Sequence, residues 1–376
     1  VVRTRPAVNV VVNLTSPSGT AAWTATSSNT NIRVTASGTA PGPLTVTLDP
    51  AALTAAGDSN ATITLRSGTD VRTIPVTMRA VDMRISSLTA DLERPVVYAA
   101  NQNGNGTGVI LVIDDRTGEI LEGIPVGNNS NAVGIDYRSG QLLVSHAGSQ
   151  VRVLSLANRQ LISTFTMPFT AWGAYSVTPG VMLLATGSSP ALVNQTTGAV
   201  LSRIDSLTFA GGGSFVDLSG RYLFERDRIG AGLYYKVDLT TTPPTNLAHP
   251  KAVDDGPMSV SADGSRIGTL FTVHDAAFKP IVTLTEQIAS LSYRGELALT
   301  SGPTSGGGTP SVRSVPGGQS VLTLPGTMEQ GVFTGDQQRV VTYDSTNRVI
   351  QVFSLPPSAV PPLPGTAFTP ADNSAV

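Results

Sequence analysis

Three histidines and two adjacent acid pairs are the residues of this chain best suited to acid–base or metal chemistry: His146, His249 and His274, with Asp114–Asp115 and Asp254–Asp255. No histidine has a second one at metal-ligand spacing. His146 stands in "LLVSHAG", His249 in "LAHPK" and His274 in "TVHDAAF", so each reads as a loop or strand-end residue. A serine nucleophile needs a base and a strand-to-helix elbow. No G-x-S-x-G stretch occurs, and there is no cysteine. The absence of cysteine excludes a disulfide framework, a thiolate metal site and a cysteine nucleophile. Asp114 and Asp115 read as turn residues of "DDRTG". Asp254 and Asp255 differ, because "AVDDGPMSV" leads straight into an apolar run.

The elements that must position these residues are strands. The chain has 376 residues, with 38 Gly, 26 Pro, 13% charged residues and a net charge of −2. Thr, Ser and Val crowd the sequence, a mixture that suits short strands and tight turns. Long Leu/Glu/Lys/Ala-rich stretches are missing, so almost no helix is expected. Without a basic excess, nucleic acid is excluded as a natural partner class. No apolar run approaches the roughly 20 residues of a transmembrane helix. The first residues, "VVRTRPAVNVVVNL", lack a signal-peptide pattern and read as a mature or trimmed start. Any export signal or lipid anchor is therefore expected upstream. Low charge, abundant Thr, Ser and Asn, and zero Cys together suggest an exported protein at the periplasm, at the cell surface or secreted.

Residues 1–80 carry six period-2 runs: "AVNVVVNLT", "AAWTATSS", "IRVTASG", "PLTVTLD", "NATITLRS" and "VRTIPVTMR". Turn-forming clusters separate them, which predicts a small immunoglobulin-like β-sandwich with Trp23 at its centre. From residue 81 to 357 a different pattern repeats. Strand–turn–strand units fall at 87–101, 133–147, 174–187, 214–227, 258–271, 289–302 and 331–344, about 41 residues apart on average. That period, with about four strands per unit, predicts a β-propeller. A lone unit cannot bury both faces, so repetition is a condition of stability. The count is seven blades; the short interval before "TSGPTSGGGTP" leaves six or eight open. The fourth strand of the last blade is expected to be absent, supplied by the tail, or supplied from near "VDMRIS". Residues 358–376 read as a Pro-rich tail.

Two resemblances add to this reading. The stretch from "WTATSSNTN" to "VRTIPVTM" resembles the BACON-like domains of bacterial surface proteins, through its Trp-bearing strand, S-G turn, Asp-Pro strand end and A-x-L-x-x-A-G link. That resemblance implies a spacer, with carbohydrate or mucin contact in some members. "RPVVYAANQNGNGTGVILVIDDRTGEILEGIPVG" resembles the YVTN-type repeat, with Y-x-A-N, V-x-V-I-D, T-G and P-V-G in order. It implies a propeller whose relatives include lactonases and a lyase that use a divalent metal or a channel-face histidine.

In a propeller, segments entering the inner strands open around the axis. Here they supply Asn131, Trp172, Asp254, Asp255, Glu286, Glu329 and Gln330. A tryptophan beside amides and acids is suited to a sugar ring or a calcium ion. No other cofactor is expected. The residues favour a non-enzymatic exported or cell-surface module, with the propeller recognising a glycan or protein ligand and the sandwich as a spacer. The alternative is a propeller enzyme of lactonase or lyase type with a divalent metal on the channel face.

Overall fold

The computed structural model describes residues 2, 7–17, 19–53, 57–102, 107–146, 148–187, 189–204, 210–227, 233–248, 258–301 and 309–361. Asp254, Asp255, His249 and the tail from residue 362 onward lie outside these described residues. The chain divides into two units: Val1–Met83 with Asn103–Thr107, and Arg84–Gln102 with Gly108–Val376. Among the described residues, the regular elements are all strands apart from two 3-10 turns at Pro50–Ala52 and Pro357–Ala359. Among the described residues, no helix is long and apolar enough to cross a membrane.

The first unit contains two sheets. One has the order Val8–Leu14, Gly42–Leu48, Ile32–Val34, and the other Ser37–Ala40, Ala21–Ser27, Gly57–Ser67, Asp70–Ala80. Period-2 alternation turns Ile32, Leu44 and Val46 of the first toward Trp23, Ala25, Ile63 and Met78 of the second, and these form one core. "IRVTASG" reads as a single strand but is divided between the sheets. Ile32–Val34 pairs with Gly42–Leu48, whereas Ser37–Ala40 pairs with Ala21–Ser27. Thr35 and Ala36 make the crossing: the Thr35 N–H donates to the Thr45 carbonyl and the Ala25 N–H to the Ala36 carbonyl. The backbone at the crossing is therefore paired at both ends, which removes the cost of leaving either strand.

The second unit is a succession of sheets, each built from consecutive antiparallel strands. The first runs Ile85–Ala90, Val96–Gln102, Thr107–Asp114, Ile120–Asn128. Five further four-stranded sheets repeat this order, beginning at Ser130–Asp136, Ala171–Thr178, Ala210–Val216, Met258–Val260 and Gln287–Leu291. The last has three strands among the described residues: Gln330–Phe333, Arg339–Asp344 and Val349–Ser354. The first strand of each sheet packs against the first strand of the next, and Gln330–Phe333 packs against Ile85–Ala90. The succession thus closes into a ring with these strands innermost.

One device recurs at the turn after the inner strand. A side-chain oxygen there accepts a backbone N–H of the turn or of the returning strand. Glu93 N–H donates to Asp91 at 2.9 Å, Arg138 to Asp136 at 3.2 Å, and Tyr222 to Asp217 at 2.7 Å. Arg266 donates to Ser261 at 3.0 Å, Leu297 to Ser292 at 3.0 Å, and Arg339 to Thr334 at 3.1 Å. Each satisfies a turn that the hairpin ladder leaves open. The same turns join neighbouring sheets. Leu92 N–H donates to the Tyr137 hydroxyl at 2.7 Å, and Tyr293 N–H to Gln337 Oε1 at 2.7 Å. Arg138 donates to the carbonyls of Val177, Leu218 and Ser219. Gly220 takes a positive φ of 72°, and a Cβ there would lie 1.8 Å from the Val177 carbonyl oxygen, so the close approach requires glycine. Asp114 caps its own turn, accepting from the N–H groups of Arg116 and Thr117 at 2.8 Å each.

All four strands of the first ring sheet fall between Ile85 and Asn128, so none comes from the segment before Asp82. A chain beginning at Asp82 is expected to keep a cooperative unfolding transition by circular dichroism. A non-cooperative melt would show that a segment before Asp82 completes the ring.

Candidate functional site

The turns just described lie at one end of the ring; the candidate residues lie at the opposite end. There the entry of each inner strand lies beside the exit of its neighbour. The register pairs Ile85 with Asn101, Ser130 with His146, Ala171 with Thr186, Ser214 with Glu225, and Met258 with Thr269. Gln287 pairs with Ser301 and Gln330 with Tyr343. Antiparallel pairing thus collects a band of polar side chains at this end. Asn101, Ser130, His146, Thr186, Ser214, Glu225 and Thr269 within it are all buried.

A β-bulge sharpens the geometry in the first three sheets. The pairing skips Ser86 between Ile85 and Ser87, Asn131 between Ser130 and Ala132, and Trp172 between Ala171 and Gly173. An extra residue in a strand leaves the ladder and its side chain is re-aimed. Ser86 Oγ donates to the Ser130 and Asn131 carbonyls of the next sheet, at 3.0 and 2.9 Å. Asn131 Nδ2 donates to the Ala171 carbonyl at 3.2 Å. Both bulge residues thus use their polar groups to bind the following sheet. Trp172 occupies the same slot but is 58% exposed. Gly187, at the adjoining strand end, lies beside the indole: a Cβ there would sit 3.6 Å from Nε1, in ordinary contact. A large amphipathic ring held on rigid backbone and open to water is an available contact surface.

The other candidates divide. Glu286 is ion-paired with Arg313 of its own sheet and also accepts from Thr285 Oγ1 at 2.9 Å, so its charge is already matched. Glu329 is exposed just before the last inner strand, where its N–H donates to the Tyr343 carbonyl at 2.9 Å. Gln330 is half-buried and pairs with Tyr343. Asn131 and Trp172 therefore stand in neighbouring sheets, whereas Glu286 and Glu329–Gln330 belong to the sixth and seventh. All lie at the same end of the ring. No group of three or more His, Asp or Glu able to hold a metal gathers among the described residues.

Two features were overlooked in the sequence. Ser86 carried no signal, since "RISSLT" reads as ordinary strand. Glu225 did carry one. It stands in the column filled by Ala99, Val144 and Leu184 in the first three sheets and by threonine in the last three. Its carboxyl is 1% exposed, and burial pushes it up to about 8, with the Ser214 hydroxyl opposite offsetting part of the shift. Tyr175 of the adjacent sheet is pushed up by loss of solvent and by the charge of Glu225. His274 is tied within its sheet: Nε2 lies 3.0 Å from Thr269 Oγ1 and Nδ1 lies 3.1 Å from the Phe278 carbonyl.

No family model matches the chain, and no curated protein matches it. Solved structures do. The β-propeller domain of Cps50 (Swd1) from Myceliophteria thermophila superposes with a TM-score of 0.60 at 12% identity, over 72% of this chain and 97% of that one. Hydrazine synthase from Kuenenia stuttgartiensis superposes at 0.58 and 9% identity, over 72% of this chain and 95% of that one. Identities this low carry the fold alone. Together with the closed succession of antiparallel sheets, they establish that the ring of this all-β chain is a β-propeller.

Proposed function

We propose that the chain is a non-enzymatic recognition module whose propeller binds a protein ligand at the end of the ring that carries Trp172. The observation that carries this reading is the bulge column. In two of its sheets the bulge residue is spent on the neighbouring backbone, and in the third it is an exposed indole on a fixed strand. Propellers present such ends as rigid platforms, and tryptophan is among the residues most enriched in binding hot spots. A glycan is the second ligand class, since a sugar ring stacks on the same face. In the same reading the propeller has seven blades with YVTN-type repeats. The first unit is an immunoglobulin-like, BACON-like spacer, and the protein works outside the cytoplasm. The low charge, the absence of cysteine and the repeat motifs support these parts.

Screening the full chain against a random-peptide display library and a glycan array tests the reading. Binders that lose at least tenfold in affinity with Trp172→Ala are expected, a loss of about 1.4 kcal/mol. Absence of any binder, or binders indifferent to Trp172→Ala, would overturn it.

A further inference from the structure

Val8–Leu14 is an edge strand. Its sheet has the order Val8–Leu14, Gly42–Leu48, Ile32–Val34, so among the described residues only one side of it is paired. That pairing is regular, from Val8 with Leu48 to Leu14 with Gly42, without a bulge. Alternate backbone N–H and C=O groups therefore point outward, ready for another strand. Natural edges are usually blunted by a charge, a proline, a bulge or a short length. The sequence VNVVVNL has no charge and no proline, and it is seven residues long. Val8, Val10, Val11 and Val12 are 37–59% exposed. Val10 and Val12 lie opposite Val46 and Leu44, so they share the core-facing side of the sheet, yet the second sheet leaves them uncovered.

We infer that this edge pairs with the same edge of a second copy of the chain. Antiparallel pairing of two identical strands runs about a two-fold axis, and VNVVVNL reads almost identically in both directions about Val11. With the axis at Val11, Val11 faces its own copy and Val10 faces Val12 of the second copy. Asn9 faces Asn13, and Val8 faces Leu14. Every cross-strand pair is then apolar with apolar or amide with amide, and no like charges meet. The two three-stranded sheets become one of six strands, with the uncovered valines in a continuous apolar row. Such an isologous contact closes on itself and does not propagate. Seven residues a side is well below the roughly 20–30 of a standard interface, so the dimer is concentration-dependent. It also places two Trp172-bearing rings in one assembly.

Sedimentation velocity of the full chain from low-micromolar to millimolar concentration tests the inference. The mass is expected to rise from one chain toward two and to stop there. Val11→Lys sets two ammonium groups against each other at the axis and is expected to abolish the association. Val11 points outward at an exposed position, so the variant's circular dichroism and melting are expected to match those of the parent. Val11→Glu alone is also expected to be monomeric, whereas an equimolar mixture of the Lys and Glu variants regains the dimer. A chain that stays single at millimolar concentration would overturn the inference. So would association unchanged by Val11→Lys, open-ended polymers, or a mixture that fails to associate.

Discussion

Trp23→Ala is expected to remove about 3–5 kcal/mol from the first unit, by loss of transfer energy and creation of a cavity. The indole is 5% exposed and lies between the two sheets with Ile32, Leu44, Ile63 and Met78. Gly38 is its register partner, and a Cβ on Gly38 would lie 2.5 Å from indole Cζ2. The ring therefore fills the space that a side chain at position 38 would take. A unit of about 80 residues holds roughly 4–12 kcal/mol in total, so the loss is most of its stability. Urea unfolding followed by circular dichroism should show the first unit's transition at much lower denaturant, with the propeller's transition unmoved. Gly38→Ala is expected to be destabilising alone and less so beside Trp23→Ala, because the vacated space accepts the methyl group. A Trp23→Ala cost below about 1 kcal/mol would remove Trp23 from the core and contradict the packing.

The second large effect belongs to Glu225. Its carboxyl titrates at about 8 in the folded chain against 4.5 ordinarily, because burial disfavours the charge. The folded state thus keeps a proton that the unfolded state has released. Stability is complete below about pH 4.5 and declines as pH rises toward 8, by about 3 kcal/mol at pH 7. Glu225→Gln replaces the acid with a neutral amide of the same shape. The variant is expected to melt like the parent near pH 4.5 and above it near pH 8, with the difference widening between. Asp115 is also raised, to about 6, by burial and by the charge of Asp336. The parent–variant difference cancels that contribution. Parallel melting curves across the whole pH range would show that Glu225 carries no such penalty.

Much of the fold was legible because both signals are local. Strands facing a core alternate with period 2, as in "AAWTATS", and a hairpin needs a turn residue with a free oxygen. The recurring Asp91, Asp136, Asp217, Ser261, Ser292 and Thr334 are those residues, which is why a period of about 41 marked the sheets. The division of Ile32–Ala40 between two sheets was not legible, since alternation continues through Thr35 and Ala36 and only tertiary pairing interrupts it. At the site, Asn131 and Trp172 could be found from their place at the entry to an inner strand, although the structure puts both inside it, one residue after its start. Their shared bulge could not, because a bulge is a mismatch between two strands and has no signature in one. Nor could the ion pair that neutralises Glu286, since Arg313 is 27 residues away. Glu225 was legible only against the apolar column of the other repeats.

In the proposed function, the indole of Trp172 is the contact through which the propeller recognises its ligand. The chain has two tryptophans, and Trp23 is buried, so acrylamide quenching of the intrinsic fluorescence reports mainly on Trp172. The decisive measurement is that quenching with and without a saturating amount of the tightest peptide or glycan recovered from the screens. A sharp fall in the quenching slope is expected when the probe binds, lost in Trp172→Ala. A slope unchanged by a probe that is demonstrably bound would place recognition elsewhere on the molecule and contradict the account.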